Sequence, residues 1–251
     1  MSRRVFLTGA SSGIGRALAA ELATAGDDLV LAARRVDAIE TLCTELRARC
    51  PGQRFSALAL DVNDHAAVFE ATERAAEALG GLDLVIVNAG IASTGRIGSG
   101  RFERDAEVIR TNVLGAMATI DAAVARFRQQ RSGHLVVISS VAAWRGLPTS
   151  GAYSASKAAI AVYADAARTE LHGSGVRVTT LYPGYIDTPI NEAQPSRPFL
   201  VDVETGARQL RKLIDRGVRE SMVPVWPWVL VARLLRWLPT GVLARAMGGK
   251  R

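Results

Sequence analysis

The sequence predicts an α/β fold: a single domain built on a doubly wound parallel sheet of about seven strands, with helices on both faces. Three observations favour this fold. Apolar, strand-like runs alternate along the chain with stretches of helical periodicity. Several of these runs are almost continuous in Val, Leu and Ile, as expected for parallel strands that are covered on both faces. No linker rich in Pro, Gly or Ser divides the 251 residues, so one domain is expected to cover 1–251.

Each predicted strand except the last is followed by a predicted helix, which is the pattern of repeated βαβ units. The strands are expected at 5–8, 28–33, 55–61, 82–88, 134–139, 177–182 and 222–226. The helices are expected at 13–25, 36–49, 64–79, 103–130, 152–172 and 203–217. Two regions break the alternation. Residues 185–202 contain three prolines and are predicted to form a long substrate loop, whereas residues 226–251 are apolar and basic.

Composition narrows the function classes. The net charge is +7 and the calculated isoelectric point is near 10.1, but the charge is scattered, which argues against a nucleic-acid partner. The first strand begins almost at Met1, so no signal peptide is visible. Cys43 and Cys50 are roughly 10 Å apart along one predicted helix, too far to form a disulfide. We therefore expect reduced thiols in a cytoplasmic protein, and the three histidines have no metal-ligand spacing.

A glycine-rich turn joins the first strand to the first helix. Glycines at such a turn let the backbone approach a pyrophosphate, and the helix N-terminus supplies N–H donors. The candidate cofactor-binding residues in it are Gly9, Ser11, Ser12, Gly13, Ile14 and Gly15. The same stretch also matches the G-x-S-x-G motif of serine hydrolases, which would need an acid and then a histidine downstream. His65, His134 and His172 can each be interpreted as incidental, which disfavours hydrolysis.

Further motifs follow this turn in order across residues 5–190. They are Asp61-Val62, Asn88-Ala89-Gly90, Asn112, Ser140, the Tyr-x-x-x-Lys pair Tyr153 and Lys157, and Pro183-Gly184 with Ile186 and Thr188. Together these residues resemble the short-chain dehydrogenase/reductase family. The resemblance implies a Rossmann-like fold, a nicotinamide cofactor held by these residues, and oxidation or reduction of a small carbonyl or alcohol substrate. It also implies a homodimer or homotetramer formed through the helices that carry Asn112 and Tyr153.

The expected chemistry centres on Tyr153. Hydride transfer to a ketone leaves an alkoxide, so a proton donor must lie at the carbonyl oxygen. Tyr153 and Lys157 share a helix face, and a nearby ammonium is expected to lower the pKa of the phenol. Ser140 can hydrogen-bond the same oxygen. In the resembled family the lysine also holds the nicotinamide ribose and the asparagine keeps a water-linked proton path. A catalytically silent cofactor-binding protein is the alternative, disfavoured by the complete set.

NADP(H) is the predicted cofactor. An NAD-preferring site places an acid about twenty residues after the glycine turn. Here the second strand ends in Ala33, Arg34 and Arg35 instead, and Arg34 can clamp a 2′-phosphate. The competing interpretation is that the two arginines are merely exposed charges. Because cells keep NADP largely reduced, carbonyl reduction is the hypothesised direction.

The substrate is expected to be apolar. The candidate pocket residues are Ala142, Trp144, Leu147, Tyr185, Ile190 and the 191–200 loop. Residues 226–251 leave two interpretations open. Between Pro227 and Pro239 a short apolar segment with Arg233 and Arg236 either packs against the core or a sister subunit, or lies peripherally on an anionic membrane.

Overall fold

A computed structural model describes residues 2–192, 194 and 196–247. Its strands are β1 (Arg4–Thr8), β2 (Asp28–Ala33), β3 (Phe55–Ala59), β4 (Leu84–Val87), β5 (Gly133–Ile138), β6 (Val176–Pro183) and β7 (Glu220–Val223). They form one parallel sheet in the order β3-β2-β1-β4-β5-β6-β7. The predicted doubly wound sheet of seven strands is confirmed.

Helices cover both faces of the sheet. They are α1 (Gly13–Thr24), α2 (Val36–Arg49), α3 (His65–Leu79), α4 (Phe102–Ile109), α5 (Ala116–Gln130), α6 (Gly151–Glu170), α7 (Val203–Arg216), α8 (Val225–Trp237) and α9 (Thr240–Met247). One core lies between the sheet and α1, α2 and α7. The other lies between the sheet and α3, α5 and α6. Because both faces are covered, the strands are apolar along almost their whole length.

The predicted helix at 103–130 is interrupted. Arg110–Gly115 is π-helical between α4 and α5. Such wide turns inside α-helices are frequent at functional sites, and this one contains Asn112. Phe102–Gln130 is also the stretch of described helix long and apolar enough to cross a membrane, but half of its most apolar window is buried inside the domain.

The last strand and the C-terminal segment differ from the prediction. The strand expected at 222–226 is β7 at Glu220–Val223 instead. Pro224 has no N–H with which to continue the ladder, and the chain enters α8 after it. Helix α9, which the sequence pattern did not predict, follows Pro239. Gly248 to Arg251 of the apolar, basic tail lie outside the described residues, as do Met1, Ala193 and Pro195.

Helix α8 packs on the domain through one face. Trp228 and Ala232 are buried there in a small cluster with Val141, Tyr182 and Met222. Arg145 donates to the carbonyl oxygens of Arg236 and Leu238 at 3.3 Å each, at the end of α8 where a cation is favoured. The inner face of α8, with Trp228 and Ala232, therefore packs against the core of the domain, which is one of the two interpretations of the tail.

Candidate active site

The glycine-rich turn lies where the strand order reverses, between β1 and β4, at their carboxyl ends. Ligands of open α/β sheets bind at this point. Thr8 Oγ1 accepts the backbone N–H groups of Asn88 and Ala89 at 3.2 and 3.3 Å. The Asn88 side-chain amide donates to the carbonyl oxygens of Thr8 and Gly9 at 3.0 and 3.1 Å. These bonds fix the turn against the end of β4.

The N-terminus of α1 is open toward the turn. Ser12 occupies the N-cap position with an extended backbone, and its side chain makes no capping hydrogen bond. The first N–H groups of α1 and the positive end of its dipole are thus available to an anion. Gly9 has φ +71°, and a Cβ on it would lie 2.9 Å from the Ala89 nitrogen. Glycine at this position therefore permits both the left-handed backbone and the close approach of β4.

A cavity of about 530 Å³ runs from this turn to the catalytic candidates. Every predicted cofactor-binding residue lines it. These are Gly9, Ser11, Ser12, Gly13, Ile14, Gly15, Arg34, Arg35, Asp61, Val62, Asn88, Ala89, Gly90, Tyr153, Lys157, Pro183, Gly184, Ile186 and Thr188. Ser140 lines the cavity too, whereas Asn112 does not. Positions spread over 180 residues of sequence therefore meet in one cleft.

Ser140 and Tyr153 meet at the inner end of the cavity. Ser140 follows β5 and caps a short 3₁₀ turn (Val141–Trp144), its Oγ accepting the Ala142 N–H at 3.1 Å. Tyr153 lies in the first turn of α6, and its hydroxyl lies close enough to the Ser140 side chain for Ser140 to affect its pKa. Two hydroxyl groups are thereby presented together to whatever occupies the cavity.

Lys157 lies one turn further along α6 and is only 4% exposed. Its Nζ donates to the Ile138 carbonyl at 3.0 Å and lies 5.8 Å from the centroid of the Tyr153 ring. Ser139 Oγ donates to the Lys157 carbonyl at 2.8 Å, which ties α6 to the end of β5. The Lys157 ammonium therefore lies near the Tyr153 ring and is held there by the Ile138 carbonyl.

The electrostatics of the pair differ from the expectation. Burial raises the pKa of Tyr153, the Ser140 side chain opposes this rise, and the neighbouring Tyr185 adds to it. Burial lowers the pKa of Lys157 to about 8. The predicted depression of the Tyr153 pKa by Lys157 is therefore wrong for the protein alone, because desolvation of the phenolate outweighs an ammonium on the ring side. With its pKa raised, Tyr153 is a neutral phenol at physiological pH.

Asn112 organises the floor of the site from the π-helical segment. It is fully buried, and its amide pairs with both the N–H and the C=O of Ile91 at 2.8 Å. It also donates to Ser156 Oγ at 3.1 Å, and Ser156 in turn donates to the Tyr153 carbonyl at 2.7 Å. The segment after β4 and the first turn of α6 are therefore joined through one side chain.

Replacing Asn112 by Ala is expected to reduce the free energy of unfolding by about 1–3 kcal/mol, because the N–H and C=O of Ile91 lose their partners. Gln129→Ala, at an exposed glutamine near the end of α5, should change it by less than about 0.5 kcal/mol. Urea denaturation of the two variants would measure both. Equal losses would contradict the structural role of Asn112.

Sequence patterns missed some of these residues and misplaced one. Trp144 was expected in the substrate pocket, but it does not line the cavity and packs edge-on against Tyr182 at 5.7 Å between ring centroids. The 3₁₀ turn that Ser140 caps carries the ring away onto β6. Ala142, Leu147, Tyr185 and Ile190 do line the cavity. Thr8, Ser139 and Ser156 were missed although each adjoins or lies within a recognised motif.

The hydrolase interpretation lacks a base. Ser11 Oγ accepts a hydrogen bond from Arg35 at 3.2 Å, and no histidine is among the described residues that line the cavity. His134 lies near the amino end of β5, at the opposite edge of the sheet from Ser11. It is buried against Thr179, and burial lowers its pKa to about 3. It has no part in chemistry at Ser11.

The donor set fits a nicotinamide dinucleotide. The open helix N-terminus suits a pyrophosphate, and the buried Lys157 and the paired hydroxyls lie at the other end of the cleft. Fold and site together define a nucleotide-binding oxidoreductase of the Rossmann type.

Comparisons with known proteins agree with the assignment to the Rossmann-type oxidoreductases. The family described as short chain dehydrogenase matches residues 3–198. An uncharacterized oxidoreductase of Mycobacterium tuberculosis is 39% identical over 244 residues, covering 97% of this chain and 96% of that protein. The chain belongs to the short-chain dehydrogenase/reductase family.

Solved structures share the fold. A short-chain dehydrogenase/reductase from Burkholderia phymatum in complex with NAD superposes with a TM-score of 0.83 at 27% identity, covering 93% of this chain and 92% of that one. An alcohol dehydrogenase from the archaeon Thermococcus sibiricus complexed with 5-hydroxy-NADP superposes with a TM-score of 0.79 at 31% identity. The match covers 88% of this chain and 95% of that one.

Proposed function

We propose that this protein is an NADP(H)-dependent reductase of apolar carbonyl compounds in which Tyr153 donates the proton. The observation that carries the proposal is that Ser140, Tyr153 and the buried Lys157 line one end of the same cavity as the glycine-rich turn, with Lys157 Nζ 5.8 Å from the centroid of the Tyr153 ring. The cofactor, when bound, supplies a hydride to the carbonyl carbon.

The protein supplies the remaining steps. Ser140 and Tyr153 both hydrogen-bond the substrate carbonyl oxygen, which polarises the C=O bond and orients it. As negative charge develops on that oxygen, Tyr153 gives up its phenolic proton, and the product is the neutral alcohol. The phenolate that remains regains a proton from solvent. The raised pKa of Tyr153 supports this direction, since it keeps the phenol protonated before the transfer. Alcohol oxidation is the same path in reverse.

Selection of NADP(H) is assigned to Arg34. Arg34 and Arg35 are exposed at the end of β2 and line the cavity, and Ala33 stands where an acid would receive a ribose 2′-OH. Arg35 is partly engaged, donating to Ser11, whereas Arg34 is available to pair with a 2′-phosphate. The related structures named above hold cofactors of both types, so the preference is argued from this chain alone.

Arg34→Asp is expected to weaken NADPH binding by about a hundredfold and to leave NADH binding equal or stronger, because a carboxylate repels the 2′-phosphate and accepts the 2′-OH. Fluorescence titration with both cofactors measures this change. Arg49→Asp, an equal charge change on the far end of α2, is the control and should leave both constants unchanged. An Arg34→Asp protein that retains the wild-type preference would refute the assignment.

An apolar substrate is supported by the outer part of the cavity, which Ala142, Leu147, Tyr185 and Ile190 line. The test of the proposed function is a panel of ketones and aldehydes of increasing chain length, assayed with NADPH and with NADH. We expect NADPH-dependent reduction whose kcat/KM rises with apolar chain length. Turnover with none of them, or turnover of polar substrates only, would contradict the proposal.

A homodimer or homotetramer through the helices that carry Asn112 and Tyr153 completes the proposal. Ile109, Leu114 and Val162 are exposed apolar side chains on these helices. Such side chains suit an interface between copies of this chain.

A further inference from the structure

The outer face of α8 carries exposed apolar and basic side chains. Leu230, Leu234 and Trp237 follow one another at helical spacing and are 47%, 62% and 83% exposed. Trp226, just before the regular part of the helix, is 69% exposed. Trp228 and Ala232, on the opposite side, are buried. Helix α8 therefore presents apolar side chains on its outer face as well as on the face that packs on the domain.

The charge of this segment has one sign. Residues 221–251 contain five arginines and lysines and no aspartate or glutamate. Arg233 lies among the exposed leucines, Arg236 flanks them, and Arg245 is exposed on α9. Within the described part of the chain neither Arg233 nor Arg236 forms an ion pair with an acidic side chain. A basic helix with an apolar stripe and tryptophans at its two ends is suited to the boundary of an anionic bilayer.

A second copy of this chain fits the same face poorly. A two-fold contact would set the patch against itself, bringing Arg233 and Arg236 of both copies together with no acid nearby to pair with them. Helix α8 is also too short to span a bilayer: 13 residues of helix cover about 20 Å, against about 30 Å of hydrocarbon. Helix α8 is therefore suited to lie on the surface of a bilayer.

The face is connected to the cavity. Trp228, on the inner side of α8, lies against Gly184 and packs at 6.0 Å from Tyr185, and both of these residues line the cavity. Trp228 also packs edge-on at 5.6 Å against Phe199 of the substrate loop, where Phe199 and Leu200 are exposed. The apolar surface thus reaches from α8 to the loop whose Ile190 lines the cavity.

We propose that the outer face of α8, with Trp226, Leu230, Leu234, Trp237 and the flanking arginines, docks this protein peripherally on an anionic lipid bilayer. Docked in this way, the substrate loop faces the lipid surface, and an apolar substrate can pass to the cavity without crossing water. Binding to a bilayer needs no turnover, so the docking can fail or hold independently of the proposed reductase activity.

The test is co-sedimentation of the full-length protein with vesicles of equal parts phosphatidylglycerol and phosphatidylcholine, and with pure phosphatidylcholine. We expect binding to the anionic vesicles that weakens in high salt, and little binding to the neutral ones. Leu234→Ser/Trp237→Ser should reduce binding at least tenfold, since both side chains bury apolar surface in the bilayer. Phe69→Ser, at an exposed phenylalanine on α3, is the matched control and should bind as wild type does.

A second variant pair isolates the charge. Arg233→Gln/Arg236→Gln should weaken binding to the anionic vesicles by about thirtyfold, at about fivefold per charge. The control variant Arg49→Gln/Arg104→Gln has the same net charge and should bind the anionic vesicles as wild type does. Wild-type protein that stays in the supernatant with both vesicles, or an apolar double variant that binds unchanged, overturns the proposal. The proposal is also overturned if Leu234→Ser/Trp237→Ser differs from wild type only by a lower molecular mass in light scattering. The face would then be an interface between copies of this chain.

Discussion

Tyr153→Phe is expected to lower kcat by about a thousandfold while leaving the dissociation constant of NADPH within about a factor of two. The substitution removes the one oxygen atom that Tyr153 presents beside Ser140 in the cavity and keeps the ring that packs over Lys157. Without the phenol, the developing alkoxide has only the Ser140 hydroxyl as a donor, and no group of suitable pKa can transfer a proton to it. The glycine turn and Lys157, which we expect to bind the cofactor, are retained in the variant.

Tyr163→Phe is the matched control for this prediction. Tyr163 lies ten residues further along α6, where it packs against the core away from the cavity. Its variant should keep wild-type kcat. Stopped-flow reduction of a reactive ketone under single-turnover conditions would report the chemical step directly. A Tyr153→Phe enzyme that retains more than a tenth of the wild-type single-turnover rate would show that another group protonates the substrate.

The doubly wound parallel sheet and the cofactor cleft were predictable from local patterns. Buried parallel strands are almost continuously apolar, which makes them visible in the sequence. A glycine-rich turn between a strand and a helix indicates a site for the phosphates of a dinucleotide. Because ligands bind at the carboxyl ends of such strands, motifs at the ends of β1, β2, β4, β5 and β6 had to converge. The structure brings these motifs to one cavity.

Features that depend on contacts distant in sequence could not be predicted in the same way. The π-helical segment lies in a stretch of sequence with ordinary helical periodicity, so the pattern does not reveal it. The hydrogen bonds between Asn112 and Ile91 depend on how β4 and α5 are arranged in the fold. Trp144 looks like a pocket residue because it follows Ser140, but the direction of its ring is set by packing on Tyr182. The pKa of Tyr153 likewise depends on the depth of burial, which spacing along a helix does not reveal.

Lys157→Met is expected to have opposite effects on activity and stability. Activity should fall by a hundredfold or more, because the ammonium that would stabilise the Tyr153 phenolate left after proton transfer is lost. The unliganded protein should nevertheless gain about 1–2 kcal/mol of stability at pH 7. Burial lowers the pKa of Lys157 from 10.5 to about 8, which corresponds to a cost of roughly 3 kcal/mol for holding the charge in the folded protein. Loss of the hydrogen bond to Ile138 offsets about 1 kcal/mol of the gain.

The pH dependence separates this explanation from a simple packing effect. Between pH 8 and 10.5 the unfolded chain binds the Lys157 proton and the folded one does not, so this group makes wild-type stability rise with pH across that window. Below pH 8 both states are protonated and the full cost of burial is present. The advantage of Lys157→Met should therefore be largest at pH 7 and shrink toward pH 10 in urea denaturation. Lys212→Met, at an exposed lysine on α7, should show no such trend. An advantage that is the same at both pH values would mean that the buried charge is not its source.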